Sequence, residues 1–253
     1  MPPARSPRPG TLYGIGVGPG AADLLTLRAV SALRSADAVV AAASPRNERS
    51  LALDIAAPHL PSGVGVLRLD FPMTRAAESL DSAWEANAGT VAAILREGKN
   101  VAFLTLGDPL IYSTFGYLMQ TLERLAPDLP VEVIPGITSF QAAAAKTRSV
   151  LCQGEENLLL ISGINSPERL GRALDAADSA VILKAYKNIA NIHKALAERG
   201  LHRQAILVSL LGLAGENIVR GLDAPPPAPP YLSLLLAPSR KGGKAARPED
   251  AEK

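Results

Sequence analysis

The segment Val101-Ala-Phe-Leu-Thr-Leu106 is apolar on both sides of an extended chain, with only Thr105 interrupting it. A strand with one face in water alternates apolar and polar residues, so an unalternated run must be covered on both faces. Thr11–Val17 and Val39–Ala42 have the same character. Between such runs lie amphipathic stretches. Leu24, Leu27, Val30 and Leu33 recur at about helical spacing within Asp23–Ser35, and Trp84, Ala88, Val91 and Leu95 form a stripe that stops before Gly98. Strand–helix–strand alternation with buried strands predicts an α/β fold built on a parallel sheet with helices on both sides.

Ala126-Pro-Asp-Leu-Pro130 breaks this rhythm and reads as a linker. Beyond it, strands are expected at Val131–Ile134, Leu158–Ile161, Val181–Leu183 and Ile206–Val208, with helices at Phe140–Lys146, Pro167–Leu174 and Ile189–Glu198. The proline run 225–230 must be extended and delivers Tyr231–Leu236 as a last strand. Two α/β domains follow, 10–126 and 131–237, with a ligand cleft expected between them. The polar, aperiodic ends, 1–9 and 239–253, are expected to be disordered.

Composition narrows the function. Lys and Arg number 26 against 24 Asp and Glu, a near balance, and aromatic residues make up only 4%. Neither fits a nucleic-acid binder, which needs a basic footprint or stacking platforms. No run of about 18 apolar residues exists to span a membrane, and the Pro- and Arg-rich start is not a signal peptide. A single cysteine, Cys152, excludes an intrachain disulfide and suits a reducing, cytoplasmic setting. It carries no nucleophile signature and reads as a small buried hydrophobe. His59, His193 and His202 are scattered, so no metal site is expected, and each reads as a surface or capping residue.

Three turns remain as carriers of chemistry. Gly14-Ile-Gly-Val-Gly-Pro-Gly20 follows a strand, and its glycines allow close approach of either a ligand or a second backbone. It satisfies a loose dinucleotide fingerprint, but the acid that should end the second strand is missing, and Asp37 lies at the wrong edge. Thr105-Leu-Gly-Asp-Pro109 ends the apolar strand, where open α/β sheets bind ligands; Asp108 and Pro109 also make an N-cap and N1 pair for a following helix. In Pro135-Gly-Ile-Thr-Ser-Phe-Gln141, Thr138 and Gln141 have capping-box spacing, and the same helix start offers N–H groups and hydroxyls to a nucleoside.

Taken in order, LYGIGVGPGAADLLTLRA, FLTLGDPLIYSTF and VIPGITSFQAAAA resemble the tetrapyrrole (class III) methyltransferases of siroheme and cobalamin synthesis. A finer resemblance, to the branch that methylates C-20 of precorrin-2, rests on FPMTR at 71–75, AWEANAGTVAAIL, LKAYKN at 183–188 and VSLLGLAGENI at 208–218. Residues 11–237 are covered. The siroheme branch has two glycines before its aspartate and Met-Gly where this chain has Lys184-Ala185. The resemblance implies two α/β domains, S-adenosylmethionine as cofactor with S-adenosylhomocysteine as product, a tetrapyrrole substrate, and a homodimer. It places cofactor contacts at Pro19, at Leu106, Gly107, Asp108 and Ile111, at Thr138 and Ser139, at Lys184 or Ala185, and at Leu210 or Leu211.

The reaction so implied turns precorrin-2 into precorrin-3A, with cobalt-factor II as the alternative acceptor. Asp108 is a candidate to stabilise charge on the ring or orient a ring N–H, and Lys184 to pair with a substrate carboxylate. Arg46, Arg49, Arg68 and Arg75 are candidates for the other carboxylates, since guanidinium binds them bidentately. The competing readings are a non-catalytic nucleotide-binding α/β module and a nicotinamide oxidoreductase.

Overall fold

A computed structural model describes residues 8–43, 50–70, 77–163 and 166–239. Arg46, Arg49, Arg75 and the FPMTR segment lie outside the described residues, as do 1–7 and 240–253 of the two ends expected to be disordered. The chain forms two compact units divided between Thr138 and Ser139.

The first unit contains β1 (Leu12–Gly16), α1 (Leu27–Arg34), β2 (Ala38–Ala43), α2 (Leu51–Ala56), β3 (Gly65–Asp70), α3 (Ala77–Arg96), β4 (Val101–Thr105), α4 (Phe115–Leu125) and β5 (Val131–Ile134). The five strands run parallel in the order β3-β2-β4-β1-β5. Period-2 geometry sorts the apolar runs onto two faces. Leu12, Val101 and Phe103 pack against Ala88, Val91 and Leu95 of α3 and Phe115, Leu118 and Leu122 of α4. Ile15, Ala102 and Leu104 pack against Ala29, Ala32 and Leu33 of α1 and Ala52, Ile55 and Ala56 of α2 on the other face. Phe103 and Phe115 are both wholly buried with ring centroids 5.4 Å apart, each contributing about 1.5–3 kcal/mol by burial.

Several expected boundaries shift for local reasons. The helix expected from Asp23 starts only at Leu27, because the hydroxyl of Thr26 accepts from the Ala29 N–H (3.1 Å) and caps it there. Because β5 pairs with β1, the segment 131–134 completes the first sheet; the expected boundary at 126–131 therefore moves to Thr138/Ser139.

The second unit contains α5 (Ser139–Thr147), β6 (Leu158–Ser162), α6 (Pro167–Asp175), β7 (Ser179–Leu183), α7 (Ile189–Glu198), β8 (Ile206–Ser209), β9 (Asn217–Arg220) and β10 (Ser233–Ala237). Its order is β6-β7-β10-β8-β9. β6 and β7 are parallel, whereas β10 runs antiparallel to both β7 and β8, and β9 antiparallel to β8. This sheet is therefore mixed. The last strand starts at Ser233 rather than Tyr231, and every residue in it is buried.

Two residue-level expectations are corrected. Cys152 is exposed. His193 is buried, and its Nε2 lies 2.8 Å from the Leu222 carbonyl oxygen, so it is a satisfied core histidine rather than a surface or capping residue. No described helix is long and apolar enough to cross a membrane.

Candidate functional site

In the first sheet the chain leaves β1 toward β2 but leaves β4 toward β5, in opposite directions. The carboxyl ends of the neighbours β1 and β4 therefore flank the topological switch point, where open α/β sheets bind ligands. All three motif turns of this unit meet there.

The β1 and β4 turns are tied by their backbones. Val17 N–H donates to Thr105 O (2.9 Å) and Gly107 N–H to Gly18 O (2.8 Å). Gly18 and Gly107 both have positive φ, 79° and 66°, which only glycine adopts cheaply. The β5 turn closes on both. A Cβ on Gly136 would lie 2.1 Å from the Gly107 oxygen and 2.7 Å from Gly16 Cα. Gly16 thus admits a second backbone, not a ligand. Gly14 faces the Phe115 ring at a distance no side chain could tolerate.

Asp108 does not cap a helix. The next helix, α4, begins seven residues later, and the Asp108 carboxylate accepts instead from Leu110 N–H (2.9 Å, Oδ1) and Gly136 N–H (3.1 Å, Oδ2). The hydroxyl of Ser113, 2.9 Å from that of Thr105, accepts from Phe115 N–H. Leu106, Gly107, Asp108 and Pro19 are half-buried, and Thr138 is buried. A Cβ on Gly107 would meet Thr138 Cα at 3.8 Å and the Ile137 oxygen at 4.0 Å, ordinary van der Waals contact, so the β5 turn packs directly on the β4 turn. Beside it Leu110, Ile111 and Tyr112 are exposed at 56%, 37% and 55%, three consecutive apolar side chains that the core does not use.

The second unit has its own signature. Its parallel strands β6, β7 and β8 are each followed at once by a left-handed residue: Gly163 (φ 60°), Lys184 (φ 55°) and Leu210 (φ 51°). Lys184 and Leu210 hold this conformation with a Cβ, at a cost of order 1–2 kcal/mol each. Strain of this kind gathers where backbone must present itself to a partner. β10 lies between β7 and β8, so the two strained residues are about 10 Å apart along one sheet edge. Ala185 and Leu211 are buried behind them, and Ser139 opens α5.

The pKa of Lys184 is lowered from the ordinary lysine value, chiefly by partial burial of its charged form and secondarily by Lys187. After Leu210, Glu216 accepts from Gly212 N–H (2.8 Å) and pairs with Lys146 (3.0 Å). Sequence reasoning missed Glu216, Ser113 and Tyr112; a positive φ of 51° at Tyr112 is visible only in the backbone. Arg68 is exposed on the edge strand β3. Asp37 sits before β2 and accepts from Asn100 N–H (2.8 Å), so it serves the fold rather than a ribose. Among the described residues, no group of three or more His, Cys, Asp or Glu is arranged to hold a metal ion.

Residues 11–223 match the family of Tetrapyrrole (Corrin/Porphyrin) Methylases. The chain is 35% identical to a cobalt-precorrin-2 C(20)-methyltransferase of Salmonella typhimurium, over 90% of its own length and 95% of that protein's. It is 35% identical to a precorrin-2 C(20)-methyltransferase of a Sinorhizobium species, covering 92% and 96% of the two chains. Its fold matches that of a uroporphyrin-III C-methyltransferase from Thermus thermophilus, solved with S-adenyl homocysteine, at a TM-score of 0.62 and 22% identity, over 90% and 97% of the chains.

Proposed function

Because the chain belongs to the tetrapyrrole methylase family, we propose that it transfers a methyl group from S-adenosylmethionine to C-20 of precorrin-2, giving precorrin-3A in cobalamin biosynthesis. The observation that carries this reading is 35% identity, over nearly the whole of both chains, to two proteins named for that carbon. One of them is named for the cobalt-loaded substrate, which favours cobalt-factor II as the second reading.

The residues present fit the cofactor. Leu106 and the exposed Ile111 offer apolar surface on the β4 turn, and Thr138 carries a hydroxyl on the β5 turn packed against it. Such a mixture suits a nucleoside thioether, apolar along its chain and polar at its ends. When bound, S-adenosylmethionine supplies an electrophilic methyl on a sulfonium. The new bond forms from C-20 to that methyl as the carbon–sulfur bond breaks, its electron pair staying on sulfur, and the ring then loses the C-20 proton.

The task left to the protein is alignment of nucleophile and methyl at roughly 3–3.5 Å. In the first unit, Pro19, Leu106, Gly107, the main chain of Asp108, Ile111 and Thr138 are the candidates to contact the donor; the family resemblance adds Ser139, Ala185, Leu210 and Leu211. Lys184 pairs with a substrate carboxylate, as does Arg68. We place the protein in the cytoplasm as a homodimer, on its family resemblance.

Incubation with precorrin-2 and ¹³C-methyl S-adenosylmethionine tests the reaction. A single added mass of one methyl with the label on C-20 is expected; label elsewhere rejects the assignment. Comparing kcat/KM on the metal-free and cobalt-loaded substrates separates the two acceptors. Calorimetry with S-adenosylhomocysteine and NAD separates a methyltransferase from an oxidoreductase, and cofactor binding without turnover would indicate a non-catalytic module.

A further inference from the structure

Resting on the methyl-transfer reading above, we propose that the Asp108 carboxylate is a positioning group for the donor site, clamping the β4 and β5 turns together, and takes no proton in the reaction. Its two oxygens are divided between two loops. Oδ1 accepts from Leu110 N–H (2.9 Å) in its own turn, and Oδ2 accepts from Gly136 N–H (3.1 Å), 28 residues away. A carboxylate accepts at both oxygens without donating, which suits two N–H groups approaching from different directions.

The clamp sets dimensions that matter to a ligand. Leu110 precedes Ile111, whose N–H reaches back to the Asp108 carbonyl (3.4 Å), and Gly136 precedes Ile137 and Thr138. A Cβ built on Gly107 would stand 4.0 Å from Ile137 O and 3.8 Å from Thr138 Cα, so how closely that stretch lies on the β4 turn follows from where Gly136 is held. Gly136 also touches Gly16 and Gly107 too closely for any Cβ, so the backbone there has one seating. Asp108 fixes the β5 turn in that seating and acts on bound ligand through Thr138 and Ile111.

The isosteric Asp108→Asn variant tests this. An amide can accept at one oxygen only, and its NH₂ would face the other N–H, donor against donor. The expected result is a rise of about ten- to a hundredfold in the KM for S-adenosylmethionine and in the Kd for S-adenosylhomocysteine. The tetrapyrrole KM and the shape of the kcat–pH profile should stay as in wild type. Hydrogen exchange at the Gly136 amide, slow in wild type, should speed up at least about tenfold in the variant.

An unchanged cofactor KM overturns the proposal. So does a fall in kcat with an altered acid limb at constant cofactor KM, since the carboxylate would then belong to the chemistry. If the variant does not fold, exchange in the wild type decides: a freely exchanging Gly136 amide removes the clamp, and one protected further by S-adenosylhomocysteine supports it. A wild-type chain that binds no S-adenosylhomocysteine rejects the methyl-transfer reading itself and the positioning role with it. Slow exchange at Gly136 would then leave the clamp as a fold element alone.

Discussion

Gly14 lies against the ring of Phe115: a Cβ added to the glycine would stand 2.2 Å from Cζ and 2.3 Å from Cε1. The first glycine of the glycine-rich segment, in the middle of β1, is thus fixed by a helix that starts about a hundred residues later. Gly14→Ala should lower stability by about 1–3 kcal/mol, the cost of overfilling a packed core. Phe115→Leu in the same background should recover part of the loss in thermal melts. If Gly14→Ala melts with wild type, the ring has room to move and the packing account fails.

Left-handed backbone is used in two different ways. Arg148 (φ 54°) follows α5, where Ser149 N–H bonds back to Ala144 O (2.9 Å) in a helix-terminating turn that glycine normally closes. Arg148→Gly should therefore stabilise the protein by about 0.5–1 kcal/mol, with methyl transfer unchanged. Leu210→Gly relieves the same strain but removes a residue of the proposed donor site, so cofactor affinity should fall. Equal effects of both changes on affinity would show that strain at Leu210 has no bearing on binding.

Glu216 gives the second unit a pH dependence. The Gly212 N–H, and then Lys146, hold its carboxyl below the ordinary glutamate value of 4.5. A carboxyl lowered in the folded state adds stability that is complete above its unfolded value and lost as pH falls through the folded one. Glu216→Gln should be less stable than wild type near neutral pH, and the gap should close below about pH 4.5. Urea midpoints across that range measure it; a gap that ignores pH assigns the loss to packing.

Lys184 works in the opposite direction. Partial burial and Lys187 disfavour its charged form, so protonation costs folding free energy at every pH below its lowered pKa and the cost lifts as pH rises through it. Lys184→Met should raise the melting temperature at neutral pH while raising the KM for the tetrapyrrole. A variant that gains stability with no change in that KM would detach Lys184 from substrate binding.

What the residues revealed in advance depended on how local the determinant was. β1 and β4 were legible because burial on both faces leaves an unbroken apolar run. β3 and β9 were not, since they are edge strands: in Gly65–Asp70 both Val66 and Arg68 are exposed, and in Asn217–Arg220 no residue is buried. The Asp108-Pro109 pair carried a sound helix-start signal that a distant partner, Gly136, overrode. The domain boundary was misplaced for a similar reason, as prolines at 127 and 130 punctuate the chain without ending the sheet that β5 joins. The turns after β7 and β8 were located by resemblance, whereas their left-handed backbone has no local sequence mark at Lys184 or Leu210.

β10 is the final strand among the described residues, yet it sits in the middle of its sheet, hydrogen-bonded to β7 on one side and β8 on the other. During synthesis β7 and β8 must wait, their inner edges unzipped, until Ser233–Ala237 has left the ribosome. The first unit, whose five strands all precede Thr138, has no such delay. A premature stop anywhere before Ser233 would release a polypeptide with one finished half and one half missing its keystone, the kind of species chaperones and proteases intercept.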